Sequence, residues 1–406
     1  MKPARVTIQN LALLASTVAA FLLLVELALR LDPSLIGVAV LDRFSPALRQ
    51  EVGARLGLPT ALTRPRIATA ERADGGPDIF VVRPSHPFLT RADKVDLDLG
   101  AVETIAIDAK GFCNPPGKAA RDAADVVMLG DSFMFCSGVK PENTAAAVIE
   151  VRSGLRTYNL GISGVGPWEY LELLRRFGLE LRPRAVVMNI YEGNDLRDIM
   201  RFDTFRLTGK QRERAEAIGG PFAWSYALAF LKASVEEIAS TLAGSAGISF
   251  RYRISLLGRD IAMNVTNRDR DELRNAARLV NGEISPSLYE APLAAFAGMA
   301  KEAGFIPVVA YVPSAYTAYA DSVVFDDPTA GGNVRRWSDA QRQWLQDNAP
   351  KLGMTFIDLV PAFQKAALAG ELTHFPANVH LTPAGHRVVA DRIAETLRGL
   401  GLMPTP

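Results

Sequence analysis

Histidine and cysteine are scarce in this sequence: four histidines (His86, His374, His380, His386) and two cysteines (Cys113, Cys136) in 406 residues. None of them falls at the spacing of a His/Cys zinc site, so no metal is expected, and no cofactor either. An excess of charge is missing too. Lys and Arg number 45 against 44 Asp and Glu, which removes the electrostatic case for a nucleic-acid partner. There is no internal repeat and no low-complexity tract. The length allows two or three domains, or one domain carrying a large insertion. The two cysteines leave two readings open. Outside the cytoplasm they could pair and brace the strand between them, or they could stay as separate buried thiols.

What is present begins with one long apolar run, Leu11 to Leu29, in which Glu26 is the only charged residue. Nineteen helical residues reach roughly 28 Å, close to the hydrocarbon thickness of a bilayer. The run exceeds a usual signal-peptide core and no small-x-small cleavage site follows it. It reads as an uncleaved anchor over 1–31, N-terminus inside and the body of the chain in the periplasm or outside the cell. Residues 32–110 follow as a Pro- and Arg-rich tether and N-terminal extension, irregular to about Asp98, with a strand near Ala101–Ile107.

From Asp125 onward strand and helix patterns alternate. Strands are expected at Asp125–Leu129, Arg156–Leu160, Ala185–Tyr191, Ile306–Val312 and Met354–Leu359. Helices are expected at Asn143–Arg152, Trp168–Phe177, Leu288–Ala303, Asp339–Lys351 and Pro383–Leu397. Short apolar strands alternating with amphipathic helices argue for a parallel, doubly wound α/β sheet. The rhythm breaks at about 197–287, too long for a plain loop. Its apolar stretch Phe222–Leu231 is followed at once by Lys232, Glu236 and Glu237. That suits a mainly helical insertion covering the site or touching the membrane surface better than a second span.

Four polar blocks sit at the ends of the expected elements. Gly130-Asp131-Ser132 ends the first strand, and Gly161-Ile-Ser-Gly164 follows the second. Gly193-Asn194-Asp195 follows the third, and His380-Leu-Thr-Pro-Ala-Gly-His386 opens the last helix. A doubly wound sheet brings the first three to one edge. A serine becomes nucleophilic near neutral pH when a base stands within hydrogen-bond reach. Glycine turns offer backbone N–H groups and an Asn amide adds donors. One nucleophile, one base and several donors is the constellation of serine acyl transfer. Ser132 would attack an ester and His380 would carry its proton. Ser132 N–H, Gly164 N–H and the Asn194 amide would hold the oxyanion, with Asp131 and Asn378 in support.

These four blocks resemble the SGNH (GDSL-type) hydrolase superfamily, whose namesake residues map onto Ser132, Gly164, Asn194 and His380. The resemblance spans residues 111–401, the insertion excepted, and implies a flavodoxin-like three-layer sandwich on a five-stranded parallel sheet. It departs at one place. The family usually sets an Asp two or three residues before the catalytic His, where this chain has Asn378 and Ala377. A backbone carbonyl, or a carboxylate such as Asp358, would have to orient the imidazole instead. The resemblance is to membrane-anchored members and implies an esterase acting on O-acyl, chiefly O-acetyl, groups of a carbohydrate or a small ester. The alternatives are a polysaccharide O-acetyltransferase fed by a multi-span acyl-donor partner, or a non-catalytic carbohydrate-binding or assembly protein.

Overall fold

Val126-Val-Met-Leu129 has no polar side chain, and all four residues are fully buried. Such a run belongs inside a sheet covered on both faces, and here it lies one place from the edge. A computed structural model describes residues 3–36, 40, 44–56, 67–70, 79–82, 88–93, 99–105, 108, 110–115, 117–118, 122–208, 224–245, 252–263, 267–376 and 379–403. Five strands make the main sheet: β1 (Val126–Leu129), β2 (Thr157–Asn159), β3 (Ala185–Tyr191), β4 (Ile306–Val312) and β5 (Thr355–Asp358). They are ordered β5-β4-β3-β1-β2, all parallel. Val126 pairs with Thr157 on one side and Ala185 on the other. This is the flavodoxin-like order 2-1-3-4-5, with helices on both faces. The order in which strands are added reverses between β1 and β3, and the crevice outside their carboxyl ends is where such sheets take ligands.

The β3 and β4 expectations match residue for residue, and the others run one residue long at one or both ends. The largest boundary difference is the helix expected from Asp339, which runs Pro328–Asn348. Gly331-Gly332 interrupts the apolar pattern there. Yet Asp327 caps the helix, its carboxylate accepting from Thr329 N at 2.9 Å, with Pro328 in the first turn. The helix expected over Trp168–Phe177 covers Pro167–Leu173 and then widens into one π turn at Leu174–Gly178.

The insertion is mainly helical, with Asp195–Thr208, Tyr226–Ser245 and Asn267–Val280, but it also carries a small antiparallel sheet. Tyr252–Leu256 pairs with Arg259–Met263, and Val323–Phe325 adds to its other edge. Two signals for the hairpin stand in the sequence. Tyr252, Ile254 and Leu256 alternate as buried residues, and Leu257-Gly258 supplies two positive φ values, 49° and 75°, as a two-residue hairpin turn requires. The tether is likewise less irregular than its prolines suggest. It holds a helix, Pro46–Arg55, capped by Ser45. Two hairpins follow, Ile67–Ala70 with Ile79–Val82, and Phe88–Asp93 with Leu99–Ile105.

Contacts divide the chain into two units, residues 1–63 with 212–246, and 64–211 with 247–406. The first is built on the helix Pro3–Leu31, of which Ala12–Leu31 has mean hydropathy 2.3 over 20 residues. The lone acid of that run is fully engaged. Glu26 pairs with Arg30, one turn on, at 2.7 Å. Its other oxygen accepts from Ser225 Oγ and Ala227 N, both at 2.8 Å, capping the helix Tyr226–Ser245. Arg30 also lies 4.6 Å from the centroid of the Tyr226 ring. Leu29, Ile36, Phe44, Leu48, Val52, Tyr226 and Ala233 form this unit's buried cluster. The second unit contains the main sheet and all four blocks.

Candidate active site

The turn after β1 is set by Asp131. Its Oδ1 accepts from Phe133 N at 2.8 Å, and its carbonyl accepts from Met134 N and Phe135 N, an Asx turn that stops the strand and lifts Ser132 to its end. Glycine is required beside it. A Cβ on Gly130 would run into Met134 Cγ, and one on Gly161 would sit 2.8 Å from Met134 Cβ. The nucleophile turn and the loop after β2 therefore lie directly on each other.

His380 Nε2 is 2.9 Å from Ser132 Oγ, although 248 residues separate them. Both are buried, with relative exposures of 6% and 4%. The turn presenting the histidine is closed by Phe375 N donating to His380 O at 2.8 Å and Val379 N donating to Phe375 O at 2.9 Å. Val379 itself has φ 56°. A β-branched residue in the left-handed region carries strain that only surrounding structure can hold, a mark found at functional positions. The Phe133 ring packs 4.9 Å from the imidazole and stacks at 3.4 Å on Tyr191, fixing the ring's other face.

The second and third blocks follow the other two strands. Gly164 has φ +83°, open to glycine alone without strain. Among the described residues nothing accepts the N–H of Ser132 or Gly164. The Asn194 amide donates to Asp131 Oδ2 at 3.2 Å, so Asp131 links the nucleophile turn to the third block. The predicted Ser132, Gly164, Asn194, His380 and Asp131 are thus all at the carboxyl edge of the sheet. Asn378 lies outside the described residues. Asp358 does not serve His380. Its carboxylate accepts from Arg342 at 2.6 and 3.0 Å and from Val360 N at 3.0 Å. Among the described residues no group of three or more His, Cys, Asp or Glu could hold a metal ion.

The other clustered histidines are part of the frame. His386 Nδ1 accepts from Ala145 N at 3.3 Å, and His374 bonds Thr373 Oγ1 and Pro313 O. Burial pushes both down to about 3, so they stay neutral. The cysteines are paired: Cys113 and Cys136 form a disulfide, Cα to Cα 5.8 Å. It sits in a small cluster with Phe135, Val139 and Phe375, between the nucleophile turn and the histidine turn.

Several buried acids surround these turns, and of them only Asp195 stands in one of the four blocks. Asp195 is buried, accepting from Tyr170 OH at 2.7 Å and Tyr191 N at 2.8 Å, and burial raises its pKa well above the usual range. Glu192, fully buried, accepts from Thr317 Oγ1 at 2.6 Å and Ser338 Oγ at 3.3 Å, and burial pushes it up to about 8. Glu169 is pushed up to about 7 by burial, its Oε2 accepting from Gly166 N at 3.0 Å. Arg201, Glu272 and Asn275, from the insertion, also reach the site loops. Arg201, Glu272 and Asn275 stand in no motif.

No family model matches the chain, and no curated protein matches it either. Among solved structures it is similar to an extracellular lipase from Streptomyces rimosus, at 15% identity over 68% of this chain and 99% of the other, TM-score 0.38. A G-D-S-L family protein from Desulfitobacterium hafniense is 14% identical over 67% of this chain and 98% of its own, TM-score 0.34. An acetyl xylan esterase is 14% identical over 67% and 99%, TM-score 0.34. What the chain itself holds of the SGNH pattern is four blocks, in order, meeting at one sheet edge with a Ser–His contact.

Proposed function

We propose that this chain is a membrane-anchored serine esterase of SGNH type that removes small O-acyl groups, O-acetyl foremost, from a carbohydrate. The observation that carries the reading is the 2.9 Å contact between His380 Nε2 and Ser132 Oγ, beside backbone N–H groups that have no acceptor among the described residues. Ser132 Oγ attacks the ester carbonyl as its proton passes to His380 Nε2. The developing oxyanion is held by the N–H groups of Ser132 and Gly164 and the Asn194 amide. One donor of this kind is worth about 3 kcal/mol of barrier. His380 then protonates the leaving sugar oxygen, the ester C–O bond breaks, and an acyl-serine remains. Water, deprotonated by His380, releases the acid and restores Ser132.

The burial of Ser132 and His380 favours a small acyl group, because a long chain would need an open trough beside the nucleophile. The carbohydrate follows from the resemblance to anchored members of the superfamily. Support for the anchor is the helix Ala12–Leu31, with Leu13, Leu14, Leu23 and Leu24 all more than 60% exposed. Leu231, Val235 and Ile238 make a second exposed apolar stripe on the helix Tyr226–Ser245, at the 4-3 spacing of one helix face. That face suits the membrane surface.

The test is hydrolysis of p-nitrophenyl acetate by the full chain in detergent, beside Ser132→Ala and His380→Ala. Both variants should lose activity by about a thousandfold or more, and a fluorophosphonate should label Ser132 only in the parent. Equal rates in all three would sink the reading. Adding an oligosaccharide acceptor then shows whether water or a sugar takes the acyl group.

A further inference from the structure

The two glycine turns of the site are each held through a backbone carbonyl by a side chain from the insertion. Arg201 Nη2 donates to Gly164 O at 3.1 Å. The same guanidinium reaches Glu169 Oε1 and Asp198 Oδ1, each at 3.4 Å. Glu169 in turn accepts from Gly166 N, so both ends of the Gly164–Gly166 turn are tied to one ion cluster. On the other side Asn275 Nδ2 donates to Gly193 O at 3.1 Å. Asn275 is 2% exposed, and Glu272 from the same helix packs where a Gly193 side chain would lie while accepting from Tyr191 OH at 3.0 Å.

Glycine has the widest backbone freedom of any residue, so a turn built on it keeps its geometry only if something outside fixes it. Gly193 C=O and Asn194 N–H belong to one planar peptide. Fixing that carbonyl fixes the plane from which the Asn194 side chain departs. Fixing Gly164 O sets the ψ of the residue whose N–H the esterase reading assigns to the oxyanion. Donors aimed at a developing charge stabilise it in proportion to how little they must reorganise.

Building on the esterase reading, we infer that Arg201 and Asn275 are positioning residues that preorganise the Gly164 and Asn194 donors, so that the insertion completes the oxyanion site. Neither touches the reacting atoms. Their removal should therefore lower kcat and leave KM nearly unchanged.

The experiment compares full-length parent, Arg201→Gln, Arg201→Lys and Asn275→Leu with p-nitrophenyl acetate, after each is titrated with a fluorophosphonate to count competent sites. Asn275→Leu and Arg201→Gln should label to full stoichiometry but more slowly, with kcat down about 10- to 100-fold and KM within about twofold. Arg201→Lys can still donate to Gly164 O and should recover part of the loss. Normal kcat per labelled site in both variants overturns the inference, as does a loss carried wholly by KM. So does a loss that disappears on correcting for unlabelled protein, since the residues would then only support folding. Ser132→Ala run alongside separates the two readings. If the parent has no Ser132-dependent turnover, the esterase reading fails; if it has, and the variants match it, only the positioning role fails.

Discussion

Glu192→Gln is the sharpest test of the electrostatics beneath the site. Glu192 follows β3 directly, is fully buried, and has Thr317 and Ser338 hydroxyls on its two oxygens. Burial raises it from 4.5 to about 8. At neutral pH the folded chain holds this proton and the unfolded chain does not. Between those two values the native state therefore binds one proton more, and stability falls as pH rises through the window. One proton corresponds to about 1.4 kcal/mol per pH unit, so raising the pH from 5 to 7.5 should cost roughly 3 kcal/mol through this group alone. Gln keeps an oxygen for Thr317 and cannot ionise. The assay is urea unfolding at pH steps from 5 to 8, read by tryptophan fluorescence. Trp337 is a well-placed reporter, buried with its indole N–H on Glu192 O at 2.8 Å. Asp195 and Glu169 contribute equally to parent and variant, so the difference in slope belongs to Glu192. The parent should lose stability faster with rising pH than Glu192→Gln. Parallel slopes would refute the reasoning, showing that the hydroxyl donors hold Glu192 ionised inside the fold.

Two further outcomes follow from the structure. Replacing Cys113 and Cys136 together by Ser opens a bridge between residues 23 apart, which should lower unfolding free energy by about 3 kcal/mol; a loss below about 1 kcal/mol in urea titration would mean the surrounding Phe135, Val139 and Phe375 hold the turn without it. The anchor reading expects full-length protein to stay with membranes through alkaline carbonate extraction and to keep Met1–Leu31 by N-terminal sequencing. A mature protein beginning near Asp32 would identify the run as a cleaved signal.

The sheet was readable because its strands have no choice of face. Val126–Leu129 is apolar at every position and Ala185–Tyr191 at all but Asn189, every residue of both is buried, and the polar blocks that follow them mark where each strand must stop. The parallel order then placed Ser132, Gly164 and Asn194 together, since strands fed by crossover helices share one carboxyl edge. The hairpin Tyr252–Met263 carries its own signal in its alternation and Leu257-Gly258 turn, but it sits among stronger helical patterns. Gly331-Gly332 hides the first turns of the helix from Pro328, and its Asp327 cap marks the true start.

The residues themselves determined the buried strands, the glycine turns, the apolar N-terminal helix and the order of the four blocks. These are local properties, fixed by hydrophobic period, backbone freedom and side-chain chemistry. Tertiary structure alone decided that the imidazole of His380 closes to 2.9 Å from Ser132, that Cys113 and Cys136 join, and that Asp358 belongs to Arg342. It also decided that Arg201 and Asn275 close on glycine carbonyls 37 and 82 residues away, and that Glu192 is fully buried among hydroxyl donors. Each depends on which distant groups share a volume from which water is excluded, and no spacing along the chain records that.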